Sequence, residues 1–463
     1  MTLATSSSFS KSAEPADAAR VHRMPWLLRL FILSLVVPFF FQLGPIQMSA
    51  SRFLLTLWVV PGLILWMQGK AGRVRVADLA LLGLCLWTAI SYFALHGPSL
   101  AIEPSGIYFI ETMGAYFMAR CFIRNADDFY AVVRMIFWII MLLMPFALYE
   151  TLTTHNILLE LANKITFSGW NVWKEPRWGL DRVQSVFQHP IHFGIFCGGL
   201  IALTYYVLGY GKSFVRRWVQ TILVTGTAFL ALSSGPLTAV VAQLALIVWD
   251  RVLRKVRQRW IILSSSVLSM VVAIEIAANR STPEIFISLF AFNTSTAYSR
   301  ILIWHFGTIS VQMHPLFGVG LGEWFRPEWK SSSLDMFWLH PAVTSGLPAA
   351  IFMQLAFFGL FLPIVFKSGL SDRSSRFRTG YLVCMMGFFL GGWTVHYWKV
   401  VYIFFIFLLG AGAWILDDDN RDEQKVANPE GSKSGRRGRN YRRTGAVPRY
   451  TRYDAKHSRR TDA

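Results

Sequence analysis

"FYAVVRMIFWIIMLLMPFALY", residues 129–149, decides the fold class. A helix needs about 20 mostly apolar residues to cross the hydrocarbon of a bilayer. This stretch meets that length with one charge, Arg134, near its start. Runs of the same character recur along the chain. Candidate spans lie near 26–46, 52–69, 76–96, 105–123, 129–149, 190–210, 219–234, 236–250, 260–278, 346–366, 379–396 and 399–416. The sequence therefore predicts an all-α polytopic membrane protein of about 12 transmembrane helices. The alternating ten-residue segments of an outer-membrane barrel are absent. The two short runs flanking Ser233-Ser234-Gly235-Pro236 read as one interrupted pair.

Composition agrees. Of 463 residues, 54% are hydrophobic and 15% aromatic, and only 15% are charged. Such a balance argues against a soluble globular chain. Cys85, Cys121, Cys197 and Cys384 lie in or beside apolar runs without ligand spacing. They read as small buried hydrophobes rather than a disulfide framework. The first 25 residues are polar and lack a short apolar core with a cleavage site, so no removable signal peptide is expected.

The net charge of +19 raises nucleic acid as a partner, but its distribution argues against it. Thirteen of the 45 Lys and Arg residues fall between Arg421 and Arg460, and most others sit in short loops. Placing both termini in the cytoplasm puts the basic loops around Lys70–Arg75, Arg120–Arg124, Lys212–Arg217, Arg251–Arg259 and Lys367–Arg378 inside, as the positive-inside rule requires. Three regions follow. Residues 1–25 are a cytoplasmic N-terminal segment, and 26–416 form a transmembrane domain with long outer loops at 150–189 and 279–345. Residues 417–463 are too polar to build a core and read as a disordered basic cytoplasmic tail. Anionic lipid attracts such a tail by about 1 kcal/mol per basic residue near the surface.

The charge rule leaves the cations of the two outer loops unexplained. The first loop contains "WKEPRWGLDRVQSVFQHPIHFG", Trp173–Gly194, with Lys174, Arg177 and Arg182, then His189 and His192 around Pro190. The second contains "AYSRILIWHFGTISVQMHPLFGVGLGEW", Ala297–Trp324. Apolar residues at 301, 302, 303, 306, 309, 311 and 313 predict an amphipathic helix at the outer surface, too short to span. Pro315 ends it, and "GVGLG" is a turn that folds the loop back towards His340. An arginine at mid-bilayer costs about 2.5–3.5 kcal/mol on insertion scales. Arg300 on a surface helix avoids most of that and can face an anion, since its planar fork matches phosphate oxygens. A histidine nearby can serve as general base. With no outer Asp-x-Asp pair, these residues suggest a metal-independent, cofactor-free reaction on a lipid-borne phosphate or pyrophosphate.

Each residue also has a plainer reading. Arg300 suits a headgroup anchor, and His340 an ordinary loop histidine. His189 and His192 form a helix-start pair without a third ligand at metal spacing. Glu111, inside a span, is either functional or an interhelical hydrogen-bonding group. His396 and Lys399 read as interfacial.

Three pieces, "RVQSVFQHPIHFG", "YSRILIWHFGTISVQMHPLFGVGLGEW" and "LHPAVTSGLPAAIFMQLAFFGL", make the chain resemble the O-antigen ligase and O-antigen/exopolysaccharide polymerase superfamily. The resemblance implies a GT-C-type membrane glycosyltransferase with a large periplasmic loop, acting on the periplasmic face of the bacterial inner membrane. It implies an undecaprenyl-diphosphate-linked glycan donor, no metal and inversion at the sugar carbon. Carried over, Arg300 grips the diphosphate and His340 activates the acceptor hydroxyl; the outer-loop cations Arg182, Arg177 and Lys174, with His189, are expected to bind substrate. Ligases of this kind often carry an arginine after the short mid-chain outer turn, and Ser233–Pro236 has none, so one phosphate contact is missing or Arg177 or Arg182 supplies it. That departure favours a polymerase, whose acceptor is a lipid-linked repeat and whose partners include a chain-length regulator. The ligase alternative transfers the glycan to lipid A core. A transporter of polysaccharide or lipid carrier fits the span count too, but no inverted repeat is evident, and Glu111 is the lone strong midplane polar candidate.

Overall fold

The computed structural model describes residues 24–44, 46–165, 172, 174–277, 284–285 and 294–418. The expected N-terminal segment before residue 24 and the expected tail after 418 lie outside the described residues, as do parts of both long loops.

The chain opens with helix α1, Trp26–Ser34, followed by an antiparallel hairpin of β1, Phe40–Leu43, and β2, Ile46–Ser49, with Phe40 opposite Ser49. This differs from the single span expected over 26–46. Pro38 has no N–H to continue a helix and pushes Val37 towards extended backbone. Gly44, at φ 62, then supplies the left-handed turn residue of the hairpin. Next come α2, Ala50–Met67, and α3, Val76–Phe122. The latter joins the two spans expected at 76–96 and 105–123. Only Gly97, at φ 73 and ψ 170, breaks its helical path, so the expected loop is a kink ahead of Pro98.

Helix α4, Ala126–Thr153, contains the opening stretch. The Asn125 side chain caps it by accepting from the Asp128 N–H, and Asp127 and Asp128 lie in its first turn, favourable to the helix dipole. Helix α5, Ile157–Ile165, lies in the first long connection. Then follow α6, Pro190–Leu208, ending in a π turn over Thr204–Leu208, α7, Phe214–Phe229, α8, Ser234–Val252, and α9, Arg259–Ala277. The second long connection carries α10, Thr294–Met313, and the short α11, His340–Ser345. The chain closes with α12, Leu347–Phe366, α13, Asp372–Gly391, and α14, Val400–Asp417.

Among the described residues, eight helices are long and apolar enough to cross a membrane: α2, α3, α4, α6, α8, α9, α12 and α14. The protein is thus an all-α polytopic membrane protein in its described core, apart from the one hairpin. Helix α9 buries none of its side chains, as suits an apolar cylinder immersed in lipid. The central helices α6 and α14 are almost wholly enclosed. In hydrocarbon, helix association rests on close van der Waals contact and small residues. Phe196 of α6 packs against Phe404 of α14 with tilted rings 4.6 Å apart, and Gly380 and Gly387 let α13 approach Tyr206 and Gln243.

The short basic connections gather at one end. There Asp417 pairs with Arg75 and lies 3.9 Å from Arg124, and buried Asp78 holds Arg120 at 3.3 Å and the Tyr116 hydroxyl at 2.6 Å. The two long connections, the hairpin and the Ser233–Pro236 turn gather at the other, which carries the candidate site.

Candidate functional site: an arginine corner and a run of histidines

Glu150, near the end of α4, organises the first long connection. It is 2% exposed. Its Oε1 accepts from Lys174 Nζ at 2.7 Å and the Gln184 N–H at 3.0 Å, and its Oε2 from the Ser185 N–H at 2.8 Å. Lys174, expected to bind substrate, is therefore committed to an ion pair inside the protein. Replacing Glu150 by Ala strands that ammonium and two buried N–H groups. The expected loss is about 3–5 kcal/mol, as for breaking one side of a buried pair. A thermal-unfolding midpoint of the detergent-solubilised variant checks it, and Glu150→Gln should fall between.

Beyond Glu150 the segment is sewn to the end of α7. Val183 N–H donates to Leu230 O at 3.0 Å, Arg177 Nη1 to Leu232 O at 2.9 Å, and Arg182 Nε to Ala231 O at 3.5 Å. Unsatisfied carbonyls at a helix C-terminus attract cations. Each arginine thus spends one of its five donors on the scaffold.

Arg300 reaches the same place from α10. Its guanidinium lies 3.4 Å from where a side chain on Gly235 would begin, and Gly235 also abuts Thr394 and Val395. Arg300 is 5% exposed, so it does not lie open on a surface helix as the sequence suggested. The reason is a second small core in which Ile303 and Val311 of α10 pack with Trp324, Leu334, Met336, Leu339 and Val343. That packing turns the helix inward. Burial, then the neighbouring Arg177, pushes Arg300 down to about 10, against the pull of Asp335. Arg182 is likewise pushed down to about 10 by burial and by Arg177, against Glu175. Arg300 Nη1 has no hydrogen-bond partner among the described residues. An unsatisfied, desolvated cationic donor is costly. Here it sits where two further arginines converge, an arrangement suited to an anion.

The glycine-rich turn builds the other wall. Val319 N–H donates to Val343 O at 2.9 Å, Gly320 N–H to Thr344 O at 2.8 Å, and Leu347 N–H to Pro315 O at 2.8 Å. Gly318 and Gly320 take φ 65 and 63, the left-handed region this close backbone pairing requires. The turn does fold the loop back onto α11, as expected. The Phe337 N–H then ties the start of α11 to Gly392 O and Val395 O.

His340, at the start of α11, stacks on His396 with ring centroids 4.2 Å apart. Burial alone pushes His340 down to about 4, so it is a neutral imidazole at neutral pH. His396 lies well below the usual histidine range, through burial and then through His340 and His192. Its Nδ1 is buried without a hydrogen-bond partner among the described residues. His189 accepts the Ile191 N–H on Nδ1, capping α6, and burial and Arg182 push it down to about 4. Its ring centroid is 6.2 Å from that of His192. His189, His192, His396 and His340 thus form a run beside the arginines. Arg300 lies by Gly235, which abuts Val395, and His340 stacks on the next residue, His396. Sequence reasoning treated His396 as merely interfacial. No spacing rule relates residue 340 to residue 396, and only the fold pairs them. Among the described residues, no three His, Cys, Asp or Glu side chains cluster as metal ligands would.

The fold and site define a helical multi-pass membrane protein with a buried, incompletely satisfied arginine corner at one end. No protein-family profile matches the chain, and no curated protein matches it.

Proposed function

We propose that this protein is a metal-independent, inverting glycan polymerase of the bacterial inner membrane, with its termini cytoplasmic and the arginine corner periplasmic. The donor is a glycan on undecaprenyl diphosphate, and the acceptor a lipid-linked repeat. One observation carries the reading: the buried Arg300 guanidinium has an unsatisfied Nη1 beside Arg177 and Arg182. A diphosphate leaving group supplies the oxygens and the negative charge such a cluster lacks. In the proposed step the acceptor hydroxyl oxygen bonds to the anomeric carbon as that carbon's bond to the diphosphate breaks. The hydroxyl proton passes along the histidine run to His340, and the electron pair leaves with the lipid diphosphate held by the arginines.

The Ser233–Pro236 turn lacks an arginine of its own, yet Arg300 lies against it and Arg177 and Arg182 bond to the residues just before it. These cations make up for the missing one. Ligase and polymerase then differ in acceptor. The test supplies purified protein with carrier-linked glycan and either a second carrier-linked repeat or lipid A core. New glycosidic bonds to the first, without any other enzyme, support the proposal. Bonds only to the second mean a ligase, and none to either means that the protein is no transferase.

A base pushed down to about 4 stays unprotonated through the neutral range. Transfer by wild type is therefore expected to be flat from pH 8 to about 6 and to fall below about 5, as His340 takes up a proton. Folding stability follows the same sense. The unfolded histidine binds protons below about 6.5 and the folded one resists until about 4, so stability is full above the first value and lost towards the second. Rate and unfolding profiles of wild type and His340→Gln check both, and Gln should remove His340's share of each.

A further inference from the structure

A second polar site lies apart from the arginine corner. The hairpin, the N-terminal ends of α2 and α14, and the segment before α6 border a narrow cleft whose empty space, open solvent included, is about 650 Å³. Ser49, Ser51, Arg52, Glu111, Gln188, His192 and Lys399 line it among apolar neighbours. Arg52 is fully engaged. Its Nε and Nη2 reach Glu111 Oε1 at 2.9 and 2.8 Å, and its Nη1 reaches Gln47 O at 2.6 Å. Glu111 is 8% exposed, yet its Oε2 takes no hydrogen bond among the described residues. The Lys399 ammonium likewise forms no ion pair or hydrogen bond among them. Lys399 holds φ 49 and ψ −116, a backbone state that a residue with a side chain keeps only where its surroundings impose it.

An open carboxylate oxygen thus shares a cleft with an open ammonium, two serine hydroxyls and a glutamine amide. A phosphate would meet the ammonium but be repelled by Glu111. A sugar ring, whose adjacent hydroxyls both donate and accept, meets all of these groups together. We propose that this cleft is a saccharide pocket that holds the acceptor sugar, with Glu111 Oε2 accepting from one hydroxyl and Lys399 donating to its neighbour. The acceptor role, though not the binding, rests on the transferase reading above. His192 supports that role. It lines the cleft, lies beside His189, and is near enough to His396, on which His340 stacks, to disfavour its charged form. A sugar in the cleft therefore lies at the His192 end of the histidine run, with Arg182 of the arginine corner near the adjoining His189 and His340 at the far end.

The test uses the full chain in lipid nanodiscs and saturation-transfer NMR with methyl glycosides of a hexose, an N-acetylhexosamine and a hexuronic acid. Wild type should bind at least one of them at millimolar concentration. Lys399→Met and Glu111→Gln should each weaken that binding about tenfold, the worth of a hydrogen bond to a charged group. Lys399→Met loses no internal hydrogen bond and keeps the test decisive if Glu111→Gln fails to fold. No glycoside bound by wild type, unchanged binding in Lys399→Met, or displacement of the glycoside by inorganic diphosphate would overturn the proposal. Where transfer is also seen, Lys399→Met should raise KM for the acceptor and not for the donor. Saccharide binding by a protein that forms no glycosidic bond would remove the transferase reading and leave the pocket standing.

Discussion

Arg300→Ala is expected to lower glycan transfer by about 10²–10³-fold, the usual cost of removing a donor aimed at developing negative charge. Folding should respond with a different sign. In the free protein the guanidinium is buried, has an unsatisfied Nη1, and lies beside Arg177, with Asp335 offsetting only part of the cost. Removing it relieves a desolvated charge, so the thermal midpoint should hold or rise while activity collapses. A residue that merely anchors headgroups, or braces the fold, would not separate the two readouts in this way. Arg300→Lys keeps the charge but loses the planar fork, and should recover only part of the activity. Polymer formed per correctly inserted molecule is the measurement. Near-normal output from Arg300→Ala would end the proposal.

Gly346→Ala is expected to destabilise the protein by about 2–6 kcal/mol, the sum of backbone strain and overpacking. Gly346 joins α11 to α12 at φ 84 and ψ 174, a conformation essentially reserved for glycine. A Cβ there would be driven into the carbonyl of Leu316, with the Phe317 N–H group close by. Backbone cannot rotate out of the way as a side-chain tip can. The damage should spread, because the same junction pairs Leu347 with Pro315 and so positions His340. Gly369 provides the control. It also has a positive φ, 77, but nothing lies within 4 Å of its would-be Cβ. Gly369→Ala should therefore lose only about 1–2 kcal/mol of left-handed strain. Thermal unfolding and the monodisperse fraction in detergent read both variants. Equal losses would mean that the contact with Leu316 contributes nothing.

The length and apolarity of the runs were enough to predict the helical core, because a bilayer imposes one length on any helix that crosses it. The stretch at 129–149 lies wholly within α4, and the run at 260–278 differs from α9 by a residue at each end. Hydropathy misjudged 26–46, where Pro38 and a run of aromatics yield a short helix and a hairpin with the same apolar composition. It placed a break after 96, where Gly97 does interrupt the helix, but could not see that helix resumes at Pro98 rather than after a loop to 104.

The sequence by itself also determined which residues were candidates for chemistry. Arg177, Arg182, Arg300 and His340 stand out because cations and histidines in the long connections are not needed for topology. Only the tertiary structure decided how they are used. It committed Lys174 to Glu150, buried Arg300 against Gly235, set His396 on His340, and left Glu111 and Lys399 open in one cleft. The physical reason is that hydropathy and periodicity act within a few turns of chain. Satisfaction of a charge, by contrast, depends on partners tens to hundreds of residues away, which the packing of the whole bundle selects.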